Sequence, residues 1–166
     1  MKILYLHGMF STPGGIKPTF LREHGHEVFE PSLPPYSFEE SLANAQEMFD
    51  MHNPNVVVGS SRGGAVAMNL KVGDVPLALI APAWNWQPVP NTVKKGTIIL
   101  HSQNDEVVPF EHTRQLACRS GLPQCDVIVV GENHRINDPA ALEALLMAVE
   151  RAANNYTPRK PGSQEG

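Results

Sequence analysis

The sequence predicts an α/β protein: about six mainly parallel strands with helices on both faces and no lid domain. Three observations carry that expectation. Six short apolar, β-branched-rich runs recur along the chain, and helical stretches lie between most of them. Several runs are apolar without alternation, as in Val56-Val57-Val58, Ile98-Ile99-Leu100 and Val127-Ile128-Val129-Val130, which is the pattern of strands covered on both faces.

The expected strands span residues 2–7, 26–31, 55–60, 76–81, 97–102 and 126–131. A short helix is expected over 16–24. A stronger one is expected over 38–51, opened by the capping-box pattern Ser37-x-x-Glu40, with Phe38, Leu42, Ala45 and Phe49 on one face. The helix over 63–71 follows the third strand directly. Another, over 110–119, begins after Pro109, and the last, over 139–153, starts behind Asp138 with proline at the first helical position. Between the fourth and fifth strands, residues 84–95 carry Pro88 and Pro90 and are too short for a stable crossover helix, so they are expected to form a loop over the sheet edge. Residues 1–156 are expected to form a single domain. The tail, 157–166, has no apolar residue to pack and is expected to be disordered.

A chain of 166 residues can bury a substantial core. Its 42% hydrophobic and 18% charged composition is that of an ordinary globular protein. A formal net charge of -4, with lysine and arginine scattered, offers no basic face for a nucleic-acid backbone. No apolar stretch approaches the roughly 20 residues needed to cross a bilayer. No secretory leader is visible either, so a cytoplasmic location and no membrane association are the default expectations. Cys118 and Cys125 form no Cys-x-x-Cys unit and no metal-ligand spacing with a histidine, which leaves two reduced thiols and no metal site.

The strongest chemical signal is Gly59-Ser60-Ser61-Arg62-Gly63-Gly64, which places Ser61 at the centre of Gly-x-Ser-x-Gly between a strand and a helix. A serine on that sharp turn is held in strained geometry, and the flanking glycines are required because a Cβ would strike neighbouring backbone. The following helix N-terminus favours developing negative charge. A phosphate-binding loop is the weaker reading, because the lysine of Gly-x-x-x-x-Gly-Lys-Ser/Thr is absent.

Three further segments follow strand ends, where ligands gather in parallel sheets. In His7-Gly8-Met9-Phe10, the backbone N–H of Met9, with that of Arg62, can form an oxyanion hole, while His7 reads better as a loop-orienting residue. In residues 101–109, Asp105 is the carboxylate expected against a catalytic imidazole, with Glu106 as its substitute and a turn or helix cap as the plain alternative. In Gly131-Glu132-Asn133-His134-Arg135, His134 lies downstream of both Ser61 and Asp105 and can serve as general base and acid. The order Ser, Asp, His is that of one large hydrolase class.

On these residues the chain resembles the α/β-hydrolase superfamily over roughly residues 2 to 153. In particular it is similar to small, capless, bacterial esterase-like proteins of the YqiA type. That likeness rests on Leu4-Tyr5-Leu6-His7-Gly8-Met9, Pro31-Ser32-Leu33-Pro34-Pro35-Tyr36, residues 58–64 and Gly131-Glu132-Asn133-His134. The resemblance implies a minimal α/β-hydrolase fold, a serine nucleophile and no required cofactor. There are departures from the pattern. The chain starts at what would be the third strand of the full fold, the helix between the fourth and fifth strands here is lost, and position 62 holds arginine.

The expected activity is serine hydrolysis of small or accessible carboxylic esters through a Ser61 acyl-enzyme, with Asp105 and His134 completing the triad. Thioesters, lactones or activated amides would use the same groups. Phe10, Trp84 and Trp86 are candidates to wall the substrate pocket, and packing of a loop onto the sheet is the equal alternative for either tryptophan. Arg62 could fork a substrate carboxylate or phosphate, although a solvated or salt-bridged arginine is the plainer reading. The competing class is a binding or regulatory protein built on the same scaffold.

Overall fold

A computed structural model describes residues 1–86 and 90–156. The expectations for Pro88 and for the tail over 157–166 lie outside these residues. Six strands, β1 (Lys2–Leu6), β2 (Glu27–Phe29), β3 (Val56–Ser60), β4 (Leu77–Ile80), β5 (Ile98–His101) and β6 (Val127–Val129), form one sheet in the order β2-β1-β3-β4-β5-β6. Every neighbouring pair is parallel, with Leu4 opposite Phe29 and Val57, and Gly59 opposite Leu79.

Five α-helices cover it: α1 (Ile16–Glu23), α2 (Phe38–His52), α3 (Arg62–Asn69), α4 (Phe110–Ser120) and α5 (Pro139–Asn154). The caps read from the sequence form. Ser37 Oγ accepts from the Glu40 N–H at 3.1 Å, and Asp138 Oδ1 accepts from the Ala141 N–H at 3.0 Å. Each satisfies a donor that the first helical turn leaves unpaired.

Alternate residues of the central strands feed two cores. Ile3, Tyr5, Val58, Ile80 and Leu100 meet Leu21 of α1 and Leu145 and Val149 of α5. Leu4, Leu6, Val57, Leu79 and Ile99 meet Ala45 of α2, Val66 of α3 and Leu116 of α4. Both faces are therefore buried, which is why these strands read as apolar runs. Truncating a side chain such as Leu79 or Leu145 to alanine would cost about 2–5 kcal/mol.

Two sequence expectations need correction. β6 is an edge strand, half-buried along its length with Val129 52% exposed, so Val127–Val129 is not covered on both faces despite its apolar run. The connection after β4 does not cross a sheet edge. It joins two interior neighbours, and Trp84 and Val93 pack into the core beneath α3 and α4. A short 3₁₀ turn, Trp84–Trp86, stands where a crossover helix is missing. No helix among the described residues is long and apolar enough to cross a membrane, and no lid is present among them.

Candidate active site

Because all six strands are parallel, the loops after β1, β3, β5 and β6 emerge at one edge of the sheet. Ser61 sits between β3 and α3 with φ 53° and ψ -117°, a strained backbone that a side chain adopts only when its surroundings hold it there. The surroundings do so. The Ser61 N–H donates to the Ile80 carbonyl at 2.8 Å, and its own carbonyl accepts from Gly64 and Ala83 at 2.9 and 3.0 Å. The glycines of the motif are forced by close approach. A Cβ on Gly59 would lie 2.6 Å from the Gly63 carbonyl oxygen, and one on Gly63 would lie 2.1 Å from that of Leu6.

The loop after β5 supplies Asp105, whose side chain is completely buried. Oδ1 accepts from the Val107 and Val108 N–H groups at 2.8 and 2.7 Å. Oδ2 accepts from His134 Nδ1 at 2.7 Å and from His101 Nε2 at 3.0 Å. Burial alone would raise the pKa of this carboxyl. The hydrogen bonds from His101, His134, Val108 and Val107 outweigh it and hold the group well below the usual carboxylate range. With Nδ1–H committed to Asp105, His134 Nε2 is free to accept, and it lies 3.1 Å from Ser61 Oγ. Glu106, the alternative carboxylate, instead accepts from the backbone N–H of His134 at 3.2 Å. It therefore steadies the loop rather than the ring.

The sequence pattern alone gives His101 no role. It is fully buried at the end of β5, with Nδ1 2.7 Å from Thr113 Oγ1 of α4 and Nε2 also 3.0 Å from the Val108 carbonyl. A carbonyl can only accept, so Nε2 carries a proton, which it shares with Asp105. The available signal was a histidine closing an apolar strand four residues before the carboxylate. The two loops are tied together at Ser102, whose hydroxyl donates to the Gly131 carbonyl at 2.7 Å and accepts from Asn104 N–H at 3.1 Å.

Around Ser61 lies an open cleft of about 680 Å³, a size usual for small-ligand sites. Phe10, 84% exposed, and Trp86, about half exposed, line it. Trp84 does not: it is buried, donates from Nε1 to the His112 carbonyl at 3.0 Å and lies under the Arg119 guanidinium. Trp84 therefore packs the loop onto the core and does not wall the pocket. Arg62 is neither solvated nor salt-bridged. Its guanidinium is buried against the Phe38 ring, and Nη2 donates to the Pro34 and Ser37 carbonyls and to Ser41 Oγ, so it pins α2 to the elbow, while Nη1 has no partner among the described residues. The backbone N–H groups of Met9 and Arg62 make no hydrogen bond among the described residues, and Gly8 packs against Ser61. His7 Nδ1 donates to the Gly8 carbonyl at 2.8 Å and orients that loop. No cluster able to hold a metal ion occurs among the described residues.

Solved structures with the same architecture are readily found. An α/β-superfamily hydrolase assigned from Xanthomonas campestris pv. campestris superposes with a TM-score of 0.73 at 20% identity, over 93% of this chain and 98% of its own. Mouse α/β hydrolase domain-containing protein 10 gives 0.70 at 18% identity, over 92% and 89%. This chain has the α/β-hydrolase fold. Est1E from Butyrivibrio proteoclasticus, solved also with ferulic acid bound, gives 0.68 at 16% identity over 92% of this chain and 88% of its own. No family model and no curated protein matches the sequence. At these identities the likeness carries the α/β-hydrolase fold and does not reach the YqiA-type subgroup.

Proposed function

We propose that the protein is a serine hydrolase that cleaves carboxylic esters through an acyl-enzyme on Ser61. The observation that carries this reading is the unbroken relay from Ser61 Oγ to His134 Nε2 at 3.1 Å and from His134 Nδ1 to Asp105 Oδ2 at 2.7 Å. Ser61 Oγ attacks the ester carbonyl carbon while its proton passes to His134 Nε2. Asp105, ionised and saturated with donors, holds the ring in the Nδ1–H tautomer and balances the imidazolium that forms. The unengaged N–H groups of Met9 and Arg62 are the donors for the oxyanion. Collapse breaks the bond to the alcohol oxygen, which takes the proton from His134, and water then repeats the sequence on the acyl-enzyme.

The open cleft suits small or accessible esters, since nothing among the described residues closes over a long acyl chain. Thioesters, lactones and activated amides meet the same groups. The test is release of p-nitrophenol from a short ester series by wild type and Ser61→Ala near pH 8, beside fluorophosphonate labelling. Turnover and labelling that both vanish in Ser61→Ala support the assignment. Labelling of Ser61 with no turnover on a broad panel would favour a binding or regulatory protein instead, and absence of both would remove Ser61 as the nucleophile.

A further inference from the structure

Among the described residues the charged side chains lining the cleft are all basic: no aspartate or glutamate lines it, while Lys17 and Arg135 both do. Lys17, in the first turn of α1, donates from Nζ to the backbone carbonyl of Arg135 and forms no ion pair among the described residues. The Arg135 guanidinium engages no hydrogen bond or ion pair among them either. Three carboxylates of the neighbouring segments are already occupied, Asp138 by the Ala141 and Glu132 N–H groups. Glu30 is paired with Arg22 and the Gly14 N–H, and Glu106 accepts from the His134 N–H.

Desolvation in this wall draws the Lys17 ammonium down from its ordinary value to about 8. A partly desolvated cation without a counter-charge is unfavourable, and groups perturbed in this way cluster at functional sites.

Its place follows from the chemistry of the relay. Arg135 is the residue after His134, and Lys17 is bonded to the Arg135 carbonyl. Covalent geometry therefore puts the ammonium within about 15 Å of Ser61 Oγ. His134 returns its proton to the departing alcohol, so the leaving group lies on the His134 side of the scissile bond. The apolar side chains of Phe10, Trp86 and Val107 line the same cleft.

Resting on the ester-hydrolase reading above, we infer that the cleft selects esters whose alcohol portion is an apolar or aromatic group bearing a carboxylate, with Lys17 and Arg135 as the specificity-determining cations. The bound anion completes the two charges, and the ring occupies the apolar rim. An ammonium bonded to one carbonyl keeps two donors for a ligand.

The test separates binding from turnover. Ser61→Ala protein is titrated, by chemical-shift perturbation, with 4-carboxyphenyl butyrate and with its methyl ester, which cancels only the charge. The titration is repeated with Lys17→Met and Arg135→Gln added. Arg135→Gln alone, on an exposed side chain, guards against a packing defect at Lys17, and thermal melting confirms that each variant folds. The expected result is at least tenfold tighter binding of the acid. The ratio should fall towards one when both cations are removed, fall part-way with Arg135→Gln, and weaken with added salt. Equal affinity for acid and methyl ester, or a preference that persists without both cations, overturns the inference. Failure of the hydrolase reading is read separately, as loss of turnover and labelling in otherwise wild-type protein.

Discussion

Replacing Gly63 by alanine sets two effects of opposite sign against each other. In an ordinary helix interior the change stabilises by about 1 kcal/mol, because glycine carries the larger conformational entropy cost. In this protein a Cβ at position 63 would sit 2.1 Å from the Leu6 carbonyl oxygen and 2.6 Å from that of His7. Both contacts are to backbone of a central strand and its exit loop, so α3 and β1 must part by about an ångström. Overpacking of this kind costs typically 1–3 kcal/mol and can cost more. With rigid backbone on both sides we expect a net loss of about 2 kcal/mol or more, equivalent to a fall in Tm of about 4–8 °C for a chain of this size. The same shift moves Ser61, two residues away, against a bond to His134 of only 3.1 Å. A displacement near 1 Å is worth about 10²-fold in rate. Thermal melting and the rate of fluorophosphonate labelling measure the two effects. Gly14→Ala is the control, since its Cβ meets nothing within 4 Å and only its φ of 87° is strained. It should cost about 1–2 kcal/mol and leave labelling unchanged. A Gly63→Ala protein that melts at or above wild type and labels at the wild-type rate would refute the close-approach account of the elbow.

Asp105→Asn should lower turnover by about 10⁴-fold while the protein still folds, because the imidazole loses its tautomer partner. Its effect on stability has a definite sign. The native pKa of Asp105 lies below its unfolded value of about 4, so the ionised form stabilises the fold above that pH and the contribution is lost on acidification. The stability gap between wild type and Asp105→Asn, from urea melts, should be flat from about pH 5 to 7 and shrink below about pH 4. His101→Phe removes a donor from Asp105 Oδ2 and should lower kcat with little change in KM. His101→Asn, which keeps an N–H donor, should recover part of the loss, whereas equal rates in all three proteins would leave His101 a packing residue. For Lys17 the folded pKa, about 8, lies below the ordinary 10.5, so the unfolded chain holds more protons between those values and wild-type stability rises with pH across that window. Lys17→Met should therefore be at least as stable as wild type at pH 7, with its relative advantage shrinking towards pH 10.5 in denaturant melts.

Much of the fold was legible in local pattern. Val56-Val57-Val58 and Ile98-Ile99-Leu100 are apolar on both faces because helices cover both. Ser37 and Asp138 mark helix starts because a side-chain oxygen there answers a specific unpaired N–H. The Gly-x-Ser-x-Gly elbow was legible for the same kind of reason: its demand for small residues is set within a few positions of chain. Edge or interior status was not. Val127-Ile128-Val129 is as apolar as an interior strand, yet it lies at the end of the sheet order, a property of non-local pairing. Trp84 and Trp86 are two residues apart and alike in sequence, but one is locked into the core by α4 and the other faces the cleft.

The sequence by itself determined the residue types, their order and their positions after strand ends, because these follow from chain chemistry and short-range periodicity. Only the tertiary structure decided which carboxylate meets the imidazole, that His101 shares it, and that Arg62 is buried against Pro34, Ser37 and Ser41 while Lys17 and Arg135 line the cleft. The imidazole's carboxylate and the Pro34 partner of Arg62 turn on distances of about 3 Å between groups 29 and 28 residues apart along the chain, which no local pattern encodes. His101 reaches Asp105, four residues on, only because the loop after β5 folds back on the strand end.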